Sequence, residues 1–127
     1  LGLFAGADLA EGSFVGEYVG LVRTHANNAV RGGGRHDPYG LHYPSAHPDG
    51  TEISAAAFGN VIRCINHVAA PLANAAFVCV NHRGMLRVVC LSSGGGSGGG
   101  VARGAQLLVD YGANYWLAAG ARPFEGL

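Results

Sequence analysis

The sequence contains no lysine: all eight of its basic residues are arginine, and eight acidic residues balance them to a formal net charge of zero. With no basic block, an electrostatic grip on nucleic acid is not expected of this domain. Charged residues make up only 13% of the chain, too few to coat long solvent-facing helices. The three cysteines, Cys64, Cys79 and Cys90, form no CxxC pair, which leaves neither a zinc motif nor a disulfide framework. They read as buried reduced thiols in a reducing compartment. His25, His36, His42, His47 and His82 are scattered over loop-like stretches and suggest solvent-facing side chains; no metal site is expected. No apolar run approaches the length of a membrane span. Leu1 to Glu11 lack the basic start and apolar core of a signal peptide. No G-x-G-x-x-G lies between a strand and a long helix, and no Lys-Ser/Thr follows the glycine run, so dinucleotide and phosphate-loop folds are disfavoured.

What the chain does have is apolar residues, 49% of 127, and 22 glycines. That combination supplies one domain, residues 1–127, with a core and many tight turns. Phe14 to Leu21 is aromatic and β-branched and reads as a strand. Residues 25–48 hold paired asparagines, a glycine triplet and three prolines and read as an irregular insert. Ala55 to Ile65 suggests a short helical turn. Asn74 to Val80 and Met85 to Leu91 are apolar runs joined by Asn81-His82-Arg83-Gly84, a hairpin pattern. Ser92 to Gly100 contains only serine and glycine and reads as a flexible loop. Gln106 to Val109 is a last short strand. The fold class is mostly β (α+β), built of short strands in small sheets.

Four segments carry a further pattern. L-G-L-F-A opens the chain at Leu1 to Ala5, and Tyr18-Val19-Gly20 follows. I-S-A-A-A-F-G-N spans Ile53 to Asn60. R-C-I-N-H-V-A-A-P-L-A-N spans Arg63 to Asn74. G-A-Q-L-L-V-D-Y-G-A-N-Y-W spans Gly104 to Trp116. In this order they resemble the SET-domain protein lysine methyltransferases. That family carries an opening G-x-G, a Y-x-G, I-D-A-x-x-x-G-N, R-F-I-N-H-S-C-x-P-N and G-E-E-L-x-x-D-Y-G-x-x-Y-W. Ser54 stands for the usual Asp, Val68-Ala69 for Ser-Cys, Ala105-Gln106 for two glutamates, and two extra residues separate Pro71 from Asn74.

The resemblance implies a SET-like fold in which the C-terminal strand threads a loop as a pseudoknot, an exception to unthreaded connections. It implies S-adenosylmethionine as cofactor, bound by Leu1, Gly2, Tyr39, Arg63, Asn66, His67, Tyr111 and Trp116. It assigns catalysis to Tyr111 and Tyr18, and a substrate channel to Tyr18, Phe77, Val109 and Trp116. Val109 and Phe77 carry no hydroxyl to anchor a water, which leans toward higher methylation states. The implied partner is a protein segment bearing lysine, a histone tail being the family's best-known case, with no nucleic acid or membrane, inside the nucleus. A domain without lysine cannot be its own substrate. Read singly, each of these residues also fits a structural role: Tyr18 and Tyr111 as core aromatics, His67 as a backbone-bonded core imidazole, Asn66 and Asn74 as turn formers. The departures from the pattern support an alternative, a catalytically silent SET-like module that binds peptide or protein partners.

Overall fold

The computed structural model describes residues 1–24, 37–43, 50–94 and 99–112. Short strands dominate, in three small sheets. The first is the antiparallel sheet of β1 (Phe14–Glu17), β7 (Met85–Ser92) and β6 (Ala75–His82), with β7 in the middle. β6 and β7 form the expected hairpin, in register from Ala75 opposite Ser92 to His82 opposite Met85. The central place of β7 explains its sequence: Val88, Val89 and Cys90 are consecutive and all buried, as a strand covered on both faces requires. On β6 one face is more open, and Cys79 is exposed there. Of the three thiols expected to be buried, Cys90 is buried and Cys64 half-buried.

The strand expected over Phe14 to Leu21 is two strands in different sheets. Tyr18 still donates its N–H to Val88, but at Gly20 the chain passes so close to the Ser54 carbonyl that a Cβ would collide with it. Beyond that corner β2 (Leu21–Thr24) joins the second sheet, ordered β2, β4 (Thr51–Ser54), β3 (Gly40–Tyr43), with antiparallel neighbours throughout. β3 lies inside the stretch read as an irregular insert; the remainder of that insert, 25–36 and 44–48, lies outside the described residues. The stretch read as a Gly/Ser loop begins one residue late: Ser92 belongs to β7 and bonds to Ser13 and Ala10. Residues 95–98 of that loop are outside the described residues.

The expected helical turn is a short 3₁₀ segment, Val61–Cys64, capped by the Asn60 side chain on the Ile62 N–H. It leads into β5 (Asn66–His67), which pairs in parallel with β8 (Leu108–Val109). The last expected strand is therefore present, and it lies directly beside the mid-chain motif. The first residues run along the chain that leads into β8, through bridges from Phe4 to Gln106 and from Leu9 to Val101. A common core of Tyr18, Ile53, Ile62, Ile65, Val88, Cys90, Leu107 and Val109 joins the three sheets. Among the described residues no helix is long and apolar enough to cross a membrane.

Candidate active site

The parallel β5–β8 pair fixes the position of Tyr111, two residues past β8. Its backbone N–H donates to His67 Nδ1 at 3.0 Å, and its hydroxyl donates a short bond to the Ile65 carbonyl. The two rings lie 5.3 Å apart. Tyr111 is thus bonded to the residues on either side of Asn66. Because His67 Nδ1 accepts, the ring hydrogen of the neutral imidazole sits on Nε2.

On one side of this segment lies the start of the chain. Asn66 Nδ2 donates to the Leu1 carbonyl at 2.8 Å and to Gln106 Oε1 at 2.9 Å. Gly2 packs against the same group: a Cβ there would meet Gln106 Oε1 at 2.6 Å and Asn66 Nδ2 at 3.2 Å. Leu1, Gly2 and Asn66, three of the residues expected to hold the cofactor, therefore converge, and Gln106 joins them from a position where the SET pattern has glutamate.

On the other side is a cleft of about 540 Å³. Tyr18, Phe77, Tyr111 and Arg63 line it, together with Ile65 and Asp110. Tyr18 and Phe77 meet edge to face with centroids 5.4 Å apart. The Tyr18 hydroxyl donates to the Tyr39 carbonyl at 2.6 Å, and Tyr43 bonds through its hydroxyl to Leu86, so this wall ties the second sheet to the hairpin. Arg63 reaches back to the Ala55 carbonyl at 3.1 Å and braces the segment before β5. The Tyr39 ring is exposed, and its backbone, rather than its ring, meets the cleft wall. Val109 is buried in the core, 1% exposed, and does not line the cleft. Trp116 lies outside the described residues.

Sequence reasoning did not find Asp37, and it noted Gln106 and Asp110 only as positions of the last motif, with no role in the site. Their neighbours come from elsewhere in the chain: Asp37 meets Arg23 and Ser54, Gln106 meets Asn66, and Asp110 lies near His67. Asn74 was matched to a motif, but its task is tertiary: Nδ2 donates to the Gln106 carbonyl at 2.9 Å and Oδ1 accepts from the Leu108 N–H at 2.8 Å.

The arrangement can present an amine. A hydroxyl offers one hydrogen and two lone pairs. The hydroxyls of Tyr18 and Tyr111 each donate to a backbone carbonyl, and a hydroxyl oxygen in that state is an acceptor, the kind of group an amine N–H can meet. The SET-domain family model matches residues 1–112. The chain belongs to the SET-domain family. It is 28% identical over 120 residues to the histone-lysine N-methyltransferase EZH2 of Chaetomium thermophilum, a match that covers 90% of this chain and 7% of the relative. Its fold is similar to that of the same organism's polycomb repressive complex 2 in an autoinhibited conformation bound to S-adenosylmethionine, with a TM-score of 0.70, 25% identity, and 89% of this chain against 14% of that one. A crystal structure of the Chaetomium thermophilum complex gives a TM-score of 0.70 at 28% identity with the same coverage. This SET domain therefore spans less than a fifth of the relatives it matches.

Proposed function

We propose that this SET domain transfers a methyl group from S-adenosylmethionine to a lysine side chain of another protein, a histone in a nuclear setting. The observation that carries the reading is the bonding of Tyr111 to Ile65 and His67, the two residues that flank Asn66, while the Asn66 amide itself bonds to the chain start.

The residues present fit the cofactor. Gly2 lies where any side chain would fill the space beside Asn66 and Gln106, and Leu1, Gly2, Asn66 and His67 provide backbone and side-chain polar groups for an amino-acid moiety. When bound, the cofactor supplies a methyl already activated on a cationic sulfur. The chain's own residues then align the amine and keep water out. Tyr18 and Phe77 flank the aliphatic stem of the lysine, and their rings favour a cationic head on its way in. The amine must be neutral to attack. At pH 7.4 an ordinary lysine, with a pKa near 10.4, stands about 4 kcal/mol from that state. Desolvation between the aromatic walls lowers this cost. The oxygens of Tyr18 and Tyr111 accept from the amine N–H groups and turn its lone pair toward the methyl.

Calorimetric titration with S-adenosylmethionine and tritiated methyl transfer to a histone mixture test the reading. The Tyr111→Phe variant is expected to keep cofactor affinity and to lose at least roughly tenfold in transfer, about 1.4 kcal/mol of barrier. Binding without transfer by the wild type would assign the domain to the silent, partner-binding class. Undiminished turnover by Tyr111→Phe would remove the catalytic role of that phenol.

A further inference from the structure

An ionic cluster in the second sheet reaches the cleft through a single turn. Arg23 on β2 donates to Glu52 on β4 and to Asp37, each at 2.8 Å, and all three side chains are largely buried. Asp37 Oδ2 also accepts a short hydrogen bond from the Ser54 hydroxyl. Its other oxygen accepts from the Tyr39 N–H at 2.8 Å, while the Asp37 carbonyl accepts from Gly40 at 3.0 Å. Asp37-Pro38-Tyr39-Gly40 is thus a β-turn with proline at its second position, closed by its backbone bond and braced from within by the aspartate side chain. The product of this turn is the placement of one atom, the Tyr39 carbonyl oxygen. It accepts from the Ala55 N–H at 3.1 Å and from the Tyr18 hydroxyl at 2.6 Å.

Position 54 is where the SET pattern has aspartate, and here it is serine. The carboxylate is not missing from this spot. It arrives from the facing turn, with the Ser54 hydroxyl bonded to it and Arg23 held between it and Glu52.

From this we infer that Asp37 is a positioning residue for transfer: it fixes the Tyr39 carbonyl, which fixes the direction of the Tyr18 hydroxyl and so the acceptor this phenol offers to the amine. The inference rests on the proposed role of Tyr18 in the cleft. Without the carboxylate, the backbone bond from Gly40 to the Asp37 carbonyl remains, but the Tyr39 N–H loses its acceptor and Arg23 loses one of two partners, so the Tyr39 carbonyl is held less firmly against Tyr18.

The test is a double-mutant cycle in the full-length protein, read as transfer of tritiated methyl to a histone mixture and as S-adenosylmethionine affinity. Asp37→Ala is expected to lower kcat about fivefold or more with cofactor Kd changed by less than about twofold, because the cluster does not touch the Leu1, Gly2 and Asn66 group. Asp37→Asn, which keeps an acceptor for the Tyr39 N–H, falls between it and the wild type. The double variant Asp37→Ala/Tyr18→Phe is expected to be no slower than the slower of its two parents, since both remove one oriented hydroxyl. A general loosening of the fold would instead multiply the two losses, and that result overturns the inference while leaving the role of Tyr18 intact. A Tyr18→Phe variant as fast as the wild type overturns the Tyr18 assignment, and the inference with it. Should the wild type transfer nothing to histones, the same cycle is read in thermal unfolding: non-additive shifts uphold the linkage of Asp37 to Tyr18, and additive shifts overturn it.

Discussion

Cys90 shows how far a side chain's chemistry is set by its surroundings. It sits on the central strand of the hairpin sheet with no exposed surface, and burial pushes its thiol from 9.0 up to about 11. Thiolate is the reactive form, so Cys90 is inert at neutral pH. The folded state holds this proton more tightly than the unfolded state. The associated stability is therefore fully present below about 9 and falls as the pH rises toward about 11. At pH 8, iodoacetamide is expected to label the exposed Cys79 rapidly and Cys90 only under denaturing conditions, read by mass spectrometry. Between pH 9 and 11 the urea midpoint of the wild type should fall more than that of Cys90→Ala. Equal slopes would mean that the buried thiol does not govern this range. At this scale the motifs picked out residues that the fold brings into contact, Tyr111 with His67 and Asn66 with Leu1. The sequence was not legible where role depends on face: Cys79 and Cys90 look alike in composition, and only strand pairing separates them.

Among the elements, the β6–β7 hairpin was the most legible, because two apolar runs flank a short polar turn. Its loop is Arg83-Gly84, both with positive φ, 53° and 79°. That is the twist a two-residue hairpin needs. Asn81 supports it by accepting the Gly84 N–H at 3.0 Å. Arginine is an unfavourable residue for the first of these positions, and alanine would be unfavourable at the second. Gly84→Ala is expected to destabilise the domain by about 1 kcal/mol and Arg83→Asn to stabilise it by about half that, compared by denaturant midpoints at unchanged slope. A neutral Gly84→Ala would indicate a loop that relaxes out of the primed conformation. The β2–β4–β3 sheet was harder to foresee. Thr51–Ser54 is buried at all four positions yet shows no apolar alternation, because Glu52 is matched by Arg23 from a strand nearly thirty residues earlier. β3 is hidden by the glycines and prolines around it, which argue for loop when read locally.

The fold brings distant stretches of the chain together around β5 and β8, and Asn74 is the joint that holds β8. Its side chain behaves like a strand neighbour, donating to the Gln106 carbonyl and accepting from the Leu108 N–H. Its backbone N–H donates to the Leu108 carbonyl, and its carbonyl accepts from Ser93. One residue thus ties the hairpin sheet to β8, and β8 carries Tyr111 to His67 and Ile65. Asn74→Ala removes two hydrogen bonds and leaves the Leu108 N–H without its acceptor, a loss of about 2–3 kcal/mol. If Asn74 served only as a turn former, stability would fall and the surviving folded fraction would transfer normally. If it sets the height of β8, transfer by fully folded protein should also fall, because Tyr111 moves relative to both the cleft and the chain start. Asn74→Asp separates the two effects. It keeps the acceptor for Leu108 but sets a carboxylate against the Gln106 carbonyl, so it should recover part of the lost stability and less of the transfer. Comparing midpoints with turnover at a temperature where each variant is folded decides the matter. Turnover per folded molecule equal to that of the wild type in both variants would leave Asn74 a structural residue only.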